Sequence, residues 1–343
     1  MLLSRRSWLL AMAAFGGQAT LHAWANEMAG SLPNRVIEVP SVREDDKPPV
    51  ITGLSLQPQG PLLAAAGDDH VVRVWNLEEG RLIQKLADHT DWVRTTVFSP
   101  DGRLLATSGN DRSILFWDPN SGRVERRLAT HPQAVALLGF SKTGHRLAAA
   151  GFEGKLRMYD SASGDSLGAF DCPCDDMRAI DFSPDGKLLA AGGRNGKIRI
   201  WNLTQAGQPQ EFAAHKQRIR AIQFSPSGQL LASAAEDRTI RVWNWSEGSE
   251  LFALQSGPAK VMSLVFCGEN RLASGGSDND VRLWDLQARE LERRMAGHTG
   301  TVSALDYRDG VLVSGSFDTT IRVWDLRNEQ KRAEVPAVTQ PLR

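Results

Sequence analysis

The sequence predicts an all-β fold in which seven similar four-stranded antiparallel sheets form a ring. Three observations lead to this prediction: an internal repeat of about forty residues, a recurring turn motif, and four strand-like segments in each repeat. A sheet that repeats in this way buries its apolar faces only against its neighbours, so the copies must stack. The predicted fold class is therefore a seven-bladed β-propeller.

The repeat is clearest in a residue pair, an aromatic side chain followed by Asp or Asn, that ends one strand of each unit. Successive pairs are separated by 42, 42, 42, 42, 41 and 40 residues. The seven pairs are Trp75-Asn76, Trp117-Asp118, Tyr159-Asp160, Trp201-Asn202, Trp243-Asn244, Trp284-Asp285 and Trp324-Asp325. So regular a spacing indicates one continuous array of seven units.

The second unit shows how each repeat divides into strands. Its four strand-like segments are WVRTTVF, RLLATSG, SILFW and RVERRL, at residues 92–98, 103–109, 113–117 and 123–128. The first alternates apolar and polar residues, and the fourth is the most polar, as an outer strand should be. The intervening turn SPDG places Pro and Gly where their backbone preferences help, and related turns recur at 141–144, 183–186 and 225–228.

Residues 1–25 predict a cleavable signal peptide, with a short basic region, an apolar run and small residues before Asn26. Arg5-Arg6 in SRRSWLL resembles a twin-arginine export motif, and a general secretory signal is the alternative. We therefore expect a periplasmic or otherwise exported protein, with no stable membrane insertion after cleavage. The remaining boundaries are a linker at 26–34, one propeller at 35–335 and a tail at 336–343.

On these residues, the chain resembles the WD-repeat (WD40-type) β-propellers, and it is identified as an exported bacterial member of that family. Ring closure needs one more fourth strand, for which the sequence offers two segments. RVIEV at 35–39 is more apolar than QKRAEV at 330–335. We favour the N-terminal segment, which would join the two ends and remove an exposed edge. The C-terminal segment is the alternative.

The resemblance implies a buried structural network of His, Ser or Thr, Asp and Trp inside each blade. The network is complete in three units, as His89, Thr107, Asp111 and Trp117; His215, Ser233, Asp237 and Trp243; and His298, Ser314, Asp318 and Trp324. A His, Ser and Asp together also suggest catalysis, but recurrence at fixed blade offsets favours a structural role. The third and fourth units lack parts of the network, so we expect these blades to be locally less stable.

Composition excludes several classes of function. Forty Lys and Arg balance forty Asp and Glu, so the charge suggests no nucleic-acid partner. Four of the seven histidines stand at the network position, and no Cys/His cluster has the spacing of metal ligands. No paired carboxylates or phosphate-binding loop stand apart from the repeat. We therefore expect no catalytic residues, no metal and no cofactor.

The resemblance also implies a partner-binding surface at the narrow top face of the propeller. Each blade contributes three positions: the residue three after the network position, the residue two later, and the residue before the turn Asp. Several of these positions hold cationic or large apolar residues, and three hold acids, which are Asp68, Asp176 and Glu236. The predicted partner-binding residues are Trp92, Arg94, Phe152, Asp176, Arg178, Arg194, Arg218, Arg220, Lys260, Met262 and Phe317.

The expected function is that of a non-catalytic, monomeric interaction scaffold in the bacterial envelope, binding an acidic segment of a protein partner on the top face. Arginine and aromatic residues dominate interface hot spots, which supports this hypothesis. The alternative without a binding role is that these charges are solvated or paired with neighbouring acids. The functional alternative is an exported enzyme, or a propeller that binds a small ligand or glycan in its central channel.

Two of the three cysteines flank a proline, at Cys172 and Cys174. In the repeat register Pro173 stands where other units have His, so the pair lies in the loop that enters the fourth blade. Cys267 lies in another blade at the opposite end of an inner strand, so disulfide geometry excludes bridging it to either. We interpret the pair as a variant loop, with a redox or thiol-capture role as the alternative.

Overall fold

The computed structural model describes residues 35–42, 46–205 and 207–327. Every regular element in those ranges is a β-strand, and the strands form seven four-stranded antiparallel sheets. The predicted all-β, seven-bladed propeller is confirmed. The predicted signal peptide, linker, C-terminal tail and C-terminal closing segment lie outside the described residues.

The first six blades each consist of four strands that are consecutive in the chain. The last blade consists of the last three described strands together with the first strand of the protein. The strands are β1 (Arg35–Glu38), β2 (Ile51–Leu56), β3 (Leu62–Gly67), β4 (Val72–Asn76), β5 (Arg81–Leu86), β6 (Val93–Phe98), β7 (Leu105–Gly109), β8 (Ile114–Trp117), β9 (Val124–Arg127), β10 (Val135–Phe140), β11 (Arg146–Gly151), β12 (Lys155–Asp160), β13 (Ser166–Asp171), β14 (Met177–Phe182), β15 (Leu188–Gly193), β16 (Lys197–Asn202), β17 (Gln210–Ala213), β18 (Ile219–Phe224), β19 (Leu231–Ala235), β20 (Thr239–Asn244), β21 (Ser249–Gln255), β22 (Val261–Phe266), β23 (Arg271–Gly276), β24 (Val281–Asp285), β25 (Glu290–Met295), β26 (Val302–Arg308), β27 (Val311–Ser316) and β28 (Thr320–Asp325). Blades one to six are β2–β5 through β22–β25, and blade seven is β26–β28 with β1.

The ring closes at both its inner and its outer circumference. The first strand of each blade contacts the first strand of the next, including β26 against β2, so these seven strands surround one central axis. β1 pairs antiparallel with β28, with Arg35 opposite Val323 and Glu38 opposite Thr320. The N-terminal segment therefore supplies the fourth strand of blade seven, as favoured from the sequence, and covers the free edge of β28.

The hydrophobic core consists of seven clusters, and each lies between two neighbouring blades. Between blades one and two, Val72 and Leu86 pack with Leu105 and Trp117, all nearly inaccessible to solvent. The second strands carry small residues, for example Ala148, which let the next blade approach closely. Because the core lies between copies, we expect each blade to depend on its neighbours for stability.

At four of these blade interfaces, a backbone amide of one inner strand donates a hydrogen bond to a side chain of the neighbouring inner strand. The side chain of Asp306 accepts a bond from the Leu56 amide at 2.7 Å, across the junction of blades seven and one. Three other side chains accept the equivalent bond from the next blade, in the pairs Asp181 with Phe224, Gln223 with Phe266, and Ser55 with Phe98. These bonds satisfy backbone amides on the side of each inner strand that has no neighbouring strand in its own sheet.

Blades two, five and seven each contain a hydrogen-bonded network of His, Asp, a hydroxyl and Trp. In blade two, His89 Nδ1 lies 2.7 Å from Asp111, and His89 Nε2 lies 2.7 Å from Thr107 Oγ1. The Trp117 indole donates to the same hydroxyl at 2.8 Å. The equivalent contacts join His215, Asp237, Ser233 and Trp243, and His298, Asp318, Ser314 and Trp324.

The network secures a backbone turn that is otherwise unfavourable. Burial by itself would raise the pKa of Asp237, but hydrogen bonds from His215 and Thr239 outweigh it and lower that pKa. The aspartates in turn anchor a tight turn whose next residue is left-handed, at φ 64° for Arg112 and 67° for Thr319. Non-glycine residues rarely adopt this conformation. A buried and fully satisfied network can impose it.

Blades three and four hold their turns differently. His131 bonds Tyr159 at 2.9 Å, and Glu153 pairs with Arg157, but Ala149 offers no hydroxyl. In blade four, the side chain of Asn195 donates to the carbonyl of Pro173 at 2.7 Å. Both turns place glycine at the left-handed position, at φ 64° in Gly154 and 72° in Gly196. Glycine needs no network to reach that conformation.

We predict that amides of β10–β17 exchange with solvent faster than the matching strands of blades two, five and seven. Local openings follow the weakest buried interactions, and these two blades lack the shared hydroxyl of the network. Native-state hydrogen exchange followed by mass spectrometry measures the difference. Equal protection of the inner three strands in all seven blades would contradict the prediction.

We predict that Asp181→Asn stabilises the protein at pH 8 by roughly 1–3 kcal/mol relative to wild type. Burial raises the pKa of Asp181 to about 6, so the folded state disfavours its ionised form. The stabilising contribution of the neutral acid is complete below the unfolded pKa and is lost as pH rises through 6. Asparagine keeps an acceptor for the Phe224 amide without the charge. Denaturation at pH 4, 6 and 8 should show the gain only at the higher values.

Asp185→Asn is the matched control for this measurement. Asp185 lies in an exposed turn, where a hydrogen bond from Ser183 and the amide of Lys187 lower the pKa of its carboxyl. Its substitution should therefore destabilise the protein at neutral pH and have less effect as pH falls through that lowered pKa. A pH-independent effect of Asp181→Asn would show that ionisation is not its cause.

Candidate functional site

A β-bulge at the start of every inner strand creates the candidate site. In blade two, Val93 pairs with Gly109 and Thr95 with Ser108, so Arg94 is left without a partner residue. The same shift occurs in the first strand of all seven blades. A bulge re-aims the side chain of the extra residue. The residues released in this way are Thr52, Arg94, Ala136, Arg178, Arg220, Met262 and Ser303.

These seven residues surround one cavity of about 310 Å³ at the top of the central channel, which we call the channel mouth. Three are arginines, from blades two, four and five, and the remaining four are uncharged. Apolar side chains such as Leu54 and Leu137 line the cavity as well, and Phe317 adds an aromatic ring. Among the described residues that line the mouth there is no carboxylate and no histidine.

The outer rim of the mouth carries two carboxylates, Asp176 and Glu236, that we call the rim carboxylates. Asp176 pairs with Arg178 at 2.6 Å and with Arg218 at 2.9 Å. Glu236 pairs with three cations, which are Arg218 at 3.3 Å, Arg220 at 2.5 Å and Lys260 at 3.2 Å. Two carboxylates therefore form ion pairs with four cations. The predicted basic cluster is ion-paired, but its positive charge is not neutralised.

Burial and mutual repulsion both act on the charges around the mouth. Burial lowers the pKa of Arg94, nearby Arg178 lowers it further, and Asp91 offsets part of the effect. Burial likewise lowers the pKa of Arg220, against the raising effect of Glu236. Burial would raise the pKa of Glu236 itself, but Arg220 and Lys260 lower it overall. The carboxylate is thus held ionised by its cations.

Aromatic rings hold two of the arginines in place. The guanidinium of Arg94 lies 5.2 Å from the centre of the Trp92 ring, and that of Arg178 lies 4.6 Å from the centre of Phe152. Such cation–π contacts contribute about 0.5–1 kcal/mol at exposed sites. Trp92 remains 43% exposed and Phe317 48% exposed. Large apolar side chains so exposed beside a cationic pocket are typical of binding surfaces.

The structure thus brings most of the sequence-predicted site residues to one end of the ring. Arg94, Arg178, Arg220, Met262 and Phe317 line the mouth itself. Asp176, Arg218 and Lys260 form its ion-paired rim, while Trp92, Phe152 and Arg194 lie outside the lining residues. Sequence reasoning missed the role of Glu236, which it placed at a top-face position but not in the site. The sequence feature that could have identified Glu236 is its position directly before the turn Asp, in the blade next to that of Lys260.

The two cysteines of the blade-four loop pack partly against the core. Cys172 and Cys174 contact the hydrophobic cluster between blades three and four, together with Phe170 and Leu203. Burial, and then the neighbouring Cys174, raise the pKa of Cys172 to about 12. A thiol with so high a pKa stays protonated and is a poor nucleophile. This geometry favours the packing role over the redox alternative.

The network histidines lie inside the blades, away from the channel mouth, where each is already bonded to its own aspartate or tyrosine. Within residues 35–42, 46–205 and 207–327, no three His, Cys, Asp or Glu side chains lie together in a way that suits a metal ion. None of the elements in those ranges is a helix long and apolar enough to cross a membrane.

The repeat of this chain matches the model of a known protein family. The model of the "WD domain, G-beta repeat" family matches six stretches that together make up more than half of the chain: residues 41–76, 80–118, 164–202, 207–244, 249–285 and 289–325. The chain belongs to the WD-repeat family. The unmatched interval, 119–163, contains β9–β12 and so most of blade three, where Tyr159 and Glu153 replace the usual Trp and Asp.

Individual relatives match over short stretches of the chain. A "Mitochondrial division protein 1" of Emericella nidulans is 41% identical over 54 residues, which is 16% of this chain and 8% of that protein. A "Nuclear distribution protein PAC1-1" of Uncinocarpus reesii is 50% identical over 36 residues, or 10% of this chain and 8% of the relative. A "U3 snoRNP-associated protein-like EMB2271" of Arabidopsis thaliana is 41% identical over 51 residues, covering 15% and 11%. The chain therefore spans only a small part of the length of these relatives.

Proposed function

We propose that this protein is a non-catalytic scaffold that binds a protein partner, through an acidic segment, on the top face of the propeller. WD-repeat propellers commonly bind protein partners, and the chain belongs to that family. The observation that carries the proposal is the channel mouth, a concave site with three arginines and no acid among its described lining residues. Exposed Trp92 and Phe317 provide apolar anchors next to it.

The charge balance of the rim supports an acidic partner. The rim carboxylates organise four cations but leave an excess of positive charge, to which Arg94 and exposed Arg194 add. A positive patch of this kind attracts a negative segment and weakens in high salt. Because basic and acidic residues are equal in number over the whole chain, the attraction is local to this face.

A catalytic function has less support in the same cavity. General acid–base chemistry needs a titratable side chain positioned beside the substrate. The described lining residues of the mouth offer arginines, hydroxyls and apolar groups, but no carboxylate or histidine. A small ligand or glycan remains a competing occupant of the mouth, and Trp92 would suit a sugar ring.

We also propose that the protein acts outside the bacterial cytoplasm. This part of the proposal rests on residues 1–25, with their basic start, apolar run and Arg5-Arg6 pair. The scaffold would then be periplasmic or otherwise exported, and a monomer.

We predict that Trp92→Ala together with Phe317→Ala reduces partner capture at least tenfold, because truncating an aromatic hot spot costs on the order of 2 kcal/mol. The tagged mature protein would be used as bait in an envelope extract of the source cells, with quantitative mass spectrometry as the readout. Leu251→Ala with Leu291→Ala is the matched control, since these leucines are 45% and 44% exposed on outer strands. Equal capture by both double variants would reject the top face as the binding surface.

We predict that the full-length chain is exported and processed to begin at Asn26 when it is produced in a bacterial host. Cell fractionation and N-terminal sequencing of the purified protein measure both. Arg5→Lys with Arg6→Lys should block export if the route is the twin-arginine one and leave it unchanged if the route is general secretion. A cytoplasmic protein that retains residues 1–25 would refute the proposed location.

A further inference from the structure

The channel mouth has a feature that a general basic surface does not require: its charged groups line one cavity. Arg94, Arg178 and Arg220, which we call the arginine triad, come from blades two, four and five. Between the first two stands Ala136 of blade three, whose methyl group leaves the space between the guanidinium groups open. The triad therefore faces a shared volume within a cavity of about 310 Å³.

Each arginine of the triad is fixed by its Nε atom to a neighbour outside the cavity lining. Arg94 Nε donates to Asn110 at 2.8 Å, and Arg178 Nε donates to Asp176 at 2.6 Å. Arg220 Nε donates to Glu236 at 2.8 Å. Fixing Nε orients the planar fork of the side chain while leaving terminal nitrogens to bind something else.

The terminal nitrogens of two triad members donate no hydrogen bond to any residue that the structure describes. Among residues 35–42, 46–205 and 207–327, no group accepts a hydrogen bond from Nη1 or Nη2 of Arg94 or Arg178. The guanidinium groups are also close enough to oppose one another, since Arg178 lowers the pKa of both Arg94 and Arg220. Donors that are oriented, half-buried and mutually repelling are satisfied best by a shared anion.

The size of the channel mouth and the side chains that line it narrow the class of anion that it can bind. The cavity is near the lower limit of ligand sites, so it accommodates one side chain or chain end rather than a folded surface. Its wall below the arginines is apolar, with Leu54, Leu137 and Leu264, which suits the methylene groups of an acidic residue. Phe317, on the opposite side from the triad in the ring order, offers an exposed ring to a neighbouring apolar residue.

We propose that the channel mouth is a carboxylate-insertion site: a peptide segment of the partner places one carboxylate among Arg94, Arg178 and Arg220 and packs an adjacent apolar side chain on Phe317. This inference rests on the proposed function and specifies how the acidic segment is recognised. The carboxylate belongs either to an Asp or Glu side chain or to the C-terminus of the peptide. Specificity then comes from one buried anion, and the outer rim contributes mainly to the rate of association.

The test is selection from a random octapeptide library by the purified mature propeller, with C-terminally amidated and free-acid versions of the library. Wild type should enrich Asp or Glu at one fixed position of the amidated peptides if a side chain supplies the carboxylate. If the C-terminus supplies it, peptides should be selected from the free-acid library and lose binding when they are amidated. Arg94→Gln with Arg178→Gln should weaken binding of the selected peptides at least tenfold, because it removes charge-assisted hydrogen bonds to the carboxylate.

Arg103→Gln is the matched control, because Arg103 lies in the exposed turn after β6 at the opposite end of the inner strand. It should leave selection unchanged. If the double variant melts at a lower temperature than wild type, a second measurement uses wild type alone. The Nε–H NMR signals of the triad should shift when a selected peptide is added, while that of Arg103 stays in place.

The proposal is overturned if no fixed acidic position or free terminus is enriched, if the double variant selects the same acidic peptides, or if the triad signals do not move. These failures differ from failure of the scaffold itself. Loss of partner capture in the Trp92 and Phe317 variant, together with a selected motif that has no acid, would leave the top face as the binding surface and reject only carboxylate insertion.

Discussion

The pairing of β1 with β28 is the constraint on which the rest of the structure depends. Seven blades bury their apolar faces only between neighbours, so an open array would leave one face of blade one and one of blade seven in water. Pairing the first strand of the protein with the last described strand joins these ends. Once the ring is closed, seven inner strands must converge on one axis, and the channel follows from that geometry.

Convergence also explains how residues far apart in sequence form one site. Arg94, Arg178 and Arg220 occupy the same position in three units, and the bulge of each inner strand turns that position toward the axis. The blade framework supplies the direction, while the residue type at that position varies freely. A propeller can therefore change its ligand by changing side chains at the mouth, without changing its core.

Structural and binding residues are separated by their location within the blade. The network of His, hydroxyl, Asp and Trp lies between strands and secures a strained turn, so its members are fully used by their own blade. In blades three and four, which lack parts of the network, glycine takes the turn position. The turn and fold persist because glycine adopts the left-handed backbone without help. This separation is why a His–Ser–Asp set here indicates architecture.

The sequence by itself determined blade number and strand order, because the signals for both are local and recur in every unit. For the closing strand it left two segments open, and the pairing of β1 with β28 decided between them. The network residues and the top-face positions came from the resemblance to WD-repeat propellers. Only the tertiary structure decided which of these residues share a cavity and how their charges balance. The pairing of Asp176 and Glu236 with cations of neighbouring blades depends on distances across blade interfaces. So does the lack of an acceptor, among the described residues, for the terminal nitrogens of Arg94 and Arg178. Those distances are set by ring closure and by the packing between blades, which no single repeat encodes.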